Sequence, residues 1–133
     1  MTYCVGMRVD AGLVMMADSR TNAGVDNISV YRKLHIYDRP DRFVAICTAG
    51  SLSVTQAALS RLDEGLEMEK GDEERATIDN QPNIFRITQL VGQALYRSRN
   101  EVRDALKKDG IRSGASILLG GRVGREPIKL FRI

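Results

Sequence analysis

Along the 133-residue chain, apolar positions fall first into short alternating runs and then into two longer stripes of helical spacing. Thr2 to Val9 is rich in strand formers, Asp10-Ala11-Gly12 reads as a hairpin turn, and Leu13 to Asp18 reads as the return strand. Two registers are open. A three-residue loop sets Val9 against Leu13 and Cys4 against Asp18. Thr2 and Asp18 then share a sheet face, one diagonal step or roughly 7–8 Å apart between backbones. A two-residue loop sets Val5 against Asp18 and turns Thr2 to the opposite face. Any chemistry joining Thr2 to Asp18 therefore calls for the first register.

Ser19 to Val30 has no apolar run and reads as a loop, or as a short irregular strand near Ile28. Lys33 to Asp38 is a third strand, with Lys33, His35 and Tyr37 on one face and Leu34 and Ile36 on the other. Arg39-Pro40-Asp41-Arg42 is a turn with proline at a favoured position. Phe43 to Thr48 is nearly continuous apolar sequence, the mark of a strand covered on both faces. Ala49-Gly50-Ser51 leads into a helix with Ser51 as N-cap and a stripe of Leu52, Thr55, Leu59, Leu62 and Leu66.

Glu67 to Asn80 is acidic and polar, an exposed connection with room for a helical turn. Asn83 is the expected cap of a long helix over Ile84 to Lys108, whose stripe is Ile87, Leu90, Val91, Ala94, Leu95, Val102 and Leu106. Asp109-Gly110 ends it. Ser116 to Gly120 is a buried strand, Gly121 to Pro127 turns, and Ile128 to Ile133 begins another strand. Four strands, two helices and two strands, segregated rather than alternating, predict an α+β layered fold with antiparallel sheets. The chain stops inside an apolar strand. That reads as truncation, or as a sheet edge left for something else to cover.

Composition narrows the function classes. The length suits one domain over 1–133, and 43% hydrophobic residues are enough for one core. No apolar run is long enough to cross a bilayer, and no basic flank precedes an apolar stretch at the N-terminus. These features point to a cytoplasmic protein with no membrane partner. The formal charge of +3 is mild. Arg97, Arg99, Arg103, Lys107 and Lys108 cluster, but Glu101 and Asp104 are mixed in, which fits a solvated helix face better than a nucleic-acid surface. With aromatics at 5% and no stacking motif, a nucleic-acid module has little support. Cys4 and Cys47 each lie in apolar, strand-like sequence and read as buried, reduced thiols. His35 is the only histidine, which is too few ligands for a zinc site and leaves a single imidazole for any hydrolase of the Ser-His or Cys-His type.

Candidate chemistry starts at Thr2. If Met1 is removed, Thr2 carries a hydroxyl nucleophile and a free amine on one residue. Asp18 supplies an acid, Lys33 a cation, and Gly50, where a strand meets a helix N-terminus, a backbone N–H that can face an oxyanion. Each has a plain reading too. Asp18 can begin a turn with Ser19, Lys33 can end a strand with its head in water, and Gly50 can simply admit close packing. Spacing alone favours the plain readings.

Sequence motifs bear on that balance. Asp18-Ser19-Arg20-Thr21-Asn22-Ala23-Gly24, followed by Arg32-Lys33, resembles the Asp-Ser-Arg-x-x-x-Gly and later Lys-Lys signature of proteasome β-type subunits. Ala49-Gly50 before the helix and Gly114-Ala115-Ser116 before a buried strand match as well. The run Thr2-Tyr3-Cys4-Val5-Gly6, with Thr21 to Ser29, is similar to the bacterial ancestral-β-subunit branch, often called Anbu.

The resemblance implies an N-terminal-nucleophile hydrolase fold, an αββα sandwich of antiparallel sheets, with 1–133 as the N-terminal part of a proteasome-β-type domain. It implies a threonine-type endopeptidase in which Thr2 attacks a peptide carbonyl and its freed amine shuttles the proton. Lys33 would lower the effective pKa of Thr2, Asp18 would neutralise and orient Lys33, and Gly50 would hold the oxyanion. Arg20 would support the loop. Thr21, His35, Thr48 and Leu52 would line the substrate pocket, with packing an equal alternative for His35. No metal or cofactor is implied. The partners would be a peptide or unfolded protein and further copies in a ring or ring-like homo-oligomer, with any ATPase partner unknown. Family members run well beyond residue 133, and their later serine and aspartates have no counterpart here. With Met1 retained there is no free amine. A non-catalytic or truncated assembly subunit is the alternative reading.

Overall fold

The computed structural model describes residues 2–22, 28–71, 73–108, 110 and 113–133, without the side chains at 22, 28 and 104–108. Expectations for Met1, for the Ala23-Gly24 to Asn27 stretch and for Asp109 as a helix end lie outside the described residues. The elements run β1 (Cys4–Val9), β2 (Gly12–Ala17), β3 (Arg20–Asn22), β4 (Ile28–Val30), β5 (Leu34–Arg39), β6 (Arg42–Gly50), α1 (Leu52–Glu64), α2 (Ile84–Lys108), β7 (Ala115–Val123) and β8 (Lys129–Arg132). They divide into two compact units, one of Met1–Ala49 with Ser116–Ile133 and one of Gly50–Ala115.

The first unit is built of sheets. β1 and β2 pair antiparallel, as do β3 and β4, while β5-β6-β7-β8 form a four-stranded sheet in that order. The hairpin register differs from the one that would put Thr2 and Asp18 on one sheet face. Val9 faces Gly12 and Cys4 faces Ala17, and the Asp18 N–H donates to the Tyr3 carbonyl at 3.0 Å. The loop is the two residues Asp10-Ala11, the shorter of the two expected, but it sets Asp18 opposite Tyr3, one step from the Cys4 register and two from the Val5 register. Gly12 is the reason. It takes φ +149°, and among the described residues positive φ occurs only at glycines. The backbone reversal is thus absorbed at the first strand residue instead of inside the loop.

Alternation then sorts the hairpin's faces. Tyr3, Met7, Val9, Val14 and Met16 are exposed on one side. On the other, a Cβ at Gly6 would lie 2.9 Å from Leu130 Cδ1, and one at Gly120 would lie 2.7 Å from Leu13 Cδ2 and 2.9 Å from Met15 Sδ. The hairpin therefore lies against β7 and β8 so closely that two glycines stand where the sheets meet. Within this unit the hairpin thus packs face to face on the β7 and β8 strands.

In the four-stranded sheet, Val44, Ala45, Ile46, Cys47 and Thr48 are buried in succession, as expected of a strand covered on both faces. Two further expectations need correction. β7 runs through to Val123, so Gly121 belongs to the strand and the turn starts at Gly124. In the Ser19 to Val30 segment the short strand near Ile28 is β4, but it has a partner the sequence did not suggest, β3, with Arg20 opposite Val30 and Thr21 opposite Ser29. The three polar residues of β3 carry no period that a sequence pattern could reveal. β8 extends its pairing at Ile133, which exchanges both backbone bonds with Ile117 at 2.8 and 2.9 Å.

The second unit is a helix pair with its connection. α1 buries Val54, Thr55, Ala58, Leu59 and Leu62. Ser51 is at the N-cap position but makes no capping bond; its hydroxyl contacts that of Ser53 at 3.1 Å. Thr55 Oγ1 instead donates to the Ser51 and Leu52 carbonyls, both at 3.1 Å. Leu66 is buried but lies outside the helix, which ends at Gly65; Leu66 and Ala76 exchange backbone bonds at 2.8 and 2.7 Å. That bridge draws the two ends of the acidic connection together, with Ile78 buried, and no helical turn forms among its described residues.

α2 begins where the sequence placed it. Asn83 Oδ1 accepts the Arg86 N–H at 2.9 Å, satisfying one of the donors a helix start leaves open. Ile84, Ile87, Leu90, Val91, Ala94 and Leu95 are buried, and α1 packs on α2. Each large side chain removed from water there contributes about 1.5–3 kcal/mol. Val102 is half-buried and the Leu106 side chain lies outside the described residues. No helix among the described residues is long and apolar enough to cross a membrane.

Candidate active site

The centre of the site is an ion pair. Lys33 directly precedes β5, and its backbone carbonyl accepts the Thr48 N–H at 2.9 Å, extending the β5–β6 ladder by one rung. This anchoring leaves the side chain 6% exposed. Lys33 Nζ donates to Asp18 Oδ2 at 2.8 Å and to the Arg20 carbonyl at 2.5 Å. A buried ammonium without such partners would be strongly disfavoured.

Asp18 follows the last residue of β2, and its carboxylate is fully employed. Oδ1 accepts the Tyr3 N–H at 2.8 Å, and Oδ2 accepts the Arg20 N–H at 3.1 Å as well as Lys33. The bond to the N–H two residues on is the local Asx geometry that lets an aspartate end a strand. The Lys33 ammonium and the Tyr3 and Arg20 amides pull the Asp18 carboxyl down to about 2, well below its ordinary value. Charge-assisted bonds of this kind are the stronger class. The Tyr31 N–H donates to the Ser19 carbonyl at 2.8 Å, closing the base of the β3–β4 ribbon next to this pair.

Thr2 is half-buried and immediately precedes the residue that Asp18 holds. It faces a recess of about 280 Å³ together with Cys4, Cys47, Ala49, Ser116 and Arg132. Asp18 and Lys33 are thus tied to the backbone of the residue after Thr2 although the expected register is absent. Asp18 reaches the N-terminus of β1 through its own side chain, so face parity along β2 does not decide the matter.

The other expected positions divide. Arg20 contributes through its backbone, with its N–H to Asp18 and its carbonyl to Lys33. Thr48 is 2% exposed, and its hydroxyl donates to the Lys33 carbonyl at 3.4 Å, so its side chain serves the strand pair. Thr21 lies in β3, half-buried, with its hydroxyl oxygen buried and unpartnered among the described residues. His35 is half-buried in β5 opposite Ile46. Gly50 and Leu52 belong to the second unit. Gly50 takes φ +98°, and a Cβ there would lie 2.3 Å from the Gly114 carbonyl, so no other residue fits. The Ser51 N–H donates to that same carbonyl at 2.8 Å.

Sequence reasoning missed three participants: the Tyr3 amide, and the two cysteines in the recess with Thr2. Alternation from Thr2 puts Cys4 on the same face of β1, a signal that was present in the sequence. The burial of Cys47 beside it required the sheet packing.

No protein-family model and no curated protein sequence matches the chain. Solved structures do. A Gly-1 mutant of Anbu from Hyphomicrobium sp. strain MC1 is 34% identical with a TM-score of 0.81; the match covers 100% of this chain and 51% of that one. Anbu (ancestral beta-subunit) from Yersinia bercovieri is 34% identical with a TM-score of 0.80, over 100% and 52%. The Anbu complex from Pseudomonas aeruginosa, solved as a helical assembly, is 30% identical with a TM-score of 0.81, over 100% and 53%. The chain spans about half the length of these structures.

Proposed function

Since this chain belongs to the bacterial proteasome-like Anbu family, we propose that it is a subunit of a threonine-type endopeptidase with Thr2 as the nucleophile. The observation that carries this reading is the buried Lys33 paired with the half-buried Asp18, which is bonded to the Tyr3 amide directly after Thr2. Among the described residues, two acceptors meet the three donors of the Lys33 ammonium, which leaves one N–H for a further group. Once Met1 is removed, the Thr2 amine takes the hydroxyl proton as the oxygen attacks a peptide carbonyl. The fixed cation of Lys33 favours the developing alkoxide. Asp18 pairs with Lys33 and holds its ammonium in place. The amine then returns the proton to the leaving nitrogen, and water releases the acyl group from Thr2.

The family resemblance assigns Gly50 N–H to the oxyanion, and Thr21, His35, Thr48 and Leu52 to the substrate side. Such a donor is typically worth about 3–4 kcal/mol of transition-state stabilisation. The surrounding fold would be the αββα sandwich of N-terminal-nucleophile hydrolases, acting in the cytoplasm on peptides or unfolded chains within a homo-oligomeric ring or ring-like assembly.

The test is chemical. A version starting at Thr2, with its N-terminus established by intact mass, is treated with a threonine-directed electrophile such as a β-lactone. Adduct at Thr2 that disappears in Lys33→Ala supports the reading. An unmodified Thr2 in assembled protein of correct N-terminus refutes it.

A second reading, a non-catalytic assembly subunit, is favoured by the exposed apolar row Tyr3, Met7, Val9, Val14 and Met16 on the outer hairpin face. It predicts oligomers that survive Thr2→Ala and no adduct at Thr2.

A further inference from the structure

Cys4 and Cys47 sit on facing sheets of the first unit, and each thiol reaches into the other's sheet. Cys4 lies on the inner face of β1, and its thiol donates to the Thr48 carbonyl of β6 at 3.6 Å. Cys47, on β6, points back, its sulfur 4.0 Å from the Met16 carbonyl of β2. The two side chains interact with each other, and both are free thiols. Both border the recess that Thr2 borders. Cys4 is half-buried and Cys47 is 1% exposed. A small reagent entering the recess therefore meets Cys4 first, with Cys47 behind it.

We propose that Cys4 and Cys47 form a two-thiol site that takes a small peroxide and closes into a disulfide joining β1 to β6 beside Thr2. The Cys4 thiolate attacks the peroxide O–O bond and hydroxide or alkoxide leaves, which gives the Cys4 sulfenic acid. The Cys47 thiolate attacks that sulfur and hydroxide leaves, which gives the S–S bond; the protons released when the two thiols ionised convert the hydroxide leaving groups to water. Two thiols lose two electrons and two protons, and the peroxide is reduced to water, or to water and an alcohol. A bound thiol pair in which only one sulfur is reachable has the asymmetry this sequence needs, an attacking thiol in front and a resolving thiol behind.

Burial pushes both thiols up, and the neighbouring Asp18 carboxylate adds to the effect at Cys4. Cys47 is raised to about 11. Both thiols are then protonated at neutral pH, so closure is slow there and speeds up as pH rises. The site responds to sustained oxidant instead of traces. Cys4 lies two residues from Thr2 on one strand face, so the bond would pin the start of β1 to β6 and fix the position of Thr2 in its recess. This consequence rests on Thr2 as the nucleophile; the pairing of the thiols does not.

The test uses protein starting at Thr2, with hydrogen peroxide as oxidant and N-ethylmaleimide as quench. Intact mass and a non-reducing peptide map are read before and after dithiothreitol. The expected result is loss of two hydrogens, a Cys4–Cys47 linked peptide that dithiothreitol reverses, and faster closure at alkaline pH. In Cys47→Ser, Cys4 should pass instead to sulfinic acid. Cys4 over-oxidised beside an unlinked Cys47 in the native protein, cross-links only between molecules, or two untouched thiols would each overturn the proposal.

β-Lactone labelling of Thr2 is followed in parallel. Labelling should fall by about tenfold or more on oxidation and return on reduction. A linked peptide with Thr2 unlabelled even when reduced leaves the thiol site standing and sinks the nucleophile reading. Labelled Thr2 with no linked peptide does the reverse.

Discussion

The Asp18 carboxylate holds the Lys33 ammonium at 2.8 Å and, through its other oxygen, the amide of Tyr3 at 2.8 Å. One side chain thus joins the start of β1, the end of β2 and the entry to β5. Replacing Asp18 by Asn keeps the size and removes the charge that Lys33 needs. Asp18→Asn should lower the melting temperature and abolish Thr2 labelling, whereas Ser19→Ala, one residue on, should do neither.

The same pair sets the acid limb. The Asp18 carboxyl is lowered in the folded chain to about 2 from an ordinary 3.8. Its stabilisation is therefore complete above about pH 4 and is lost as pH falls towards 2. Urea melts stepped from pH 5 to 2 should show a stability loss in that window which Asp18→Asn lacks.

Cys47 sets an alkaline limb of the opposite sense. Its thiol is raised from 9.0 to about 11, so the folded chain holds that proton more tightly than the unfolded one. The contribution is present below pH 9 and declines between 9 and 11. Cys47→Ala should flatten this decline, measured under reducing conditions.

Lys33→Ala removes the cation beside the proposed nucleophile. The rate of Thr2 labelling should fall by about a hundredfold or more. Because it also strands Asp18, the variant's fold is checked by circular dichroism, and Lys33→Arg is compared. The guanidinium keeps the charge but not the compact ammonium geometry, so partial recovery at most is expected.

In the helical unit, cap and core can be separated. Asn83→Ala should cost about 1 kcal/mol, because the Arg86 amide loses its acceptor. Ser51→Ala should cost little, since the Ser51 hydroxyl caps nothing. Leu90→Ala, at a site 1% exposed, should cost about 2–5 kcal/mol. Chemical denaturation of the three variants tests the order.

Local physics made much of this chain legible. The α2 helix was readable from its start at Ile84, because a long apolar stripe with an asparagine cap leaves little freedom. The β6 strand was readable because five consecutive buried residues exclude any one-sided element. The β3 half of the β3–β4 ribbon was not, since its three polar residues carry no period. Leu66 was misplaced because its spacing continues the α1 stripe; Gly65 ended the helix, and a bridge to Ala76 buried the leucine by another route.

The sequence by itself determined the residue types of the candidate site and the elements that carry them. Thr2, Asp18 and Lys33 belong to motifs, and strand propensity and turn chemistry act over a few neighbours. Only the tertiary structure decided how they meet. The hairpin register depends on whether Gly12 ends the loop or starts the strand, a difference of one residue that inverts every face prediction built on it. Asp18 escapes that parity because a side chain at a strand end can turn back along the backbone, and where it turns depends on the Tyr3 amide and Lys33, brought beside it by packing. The meeting of Cys4 and Cys47, 43 positions apart in the chain, is likewise a product of one sheet lying on another. No local pattern encodes it.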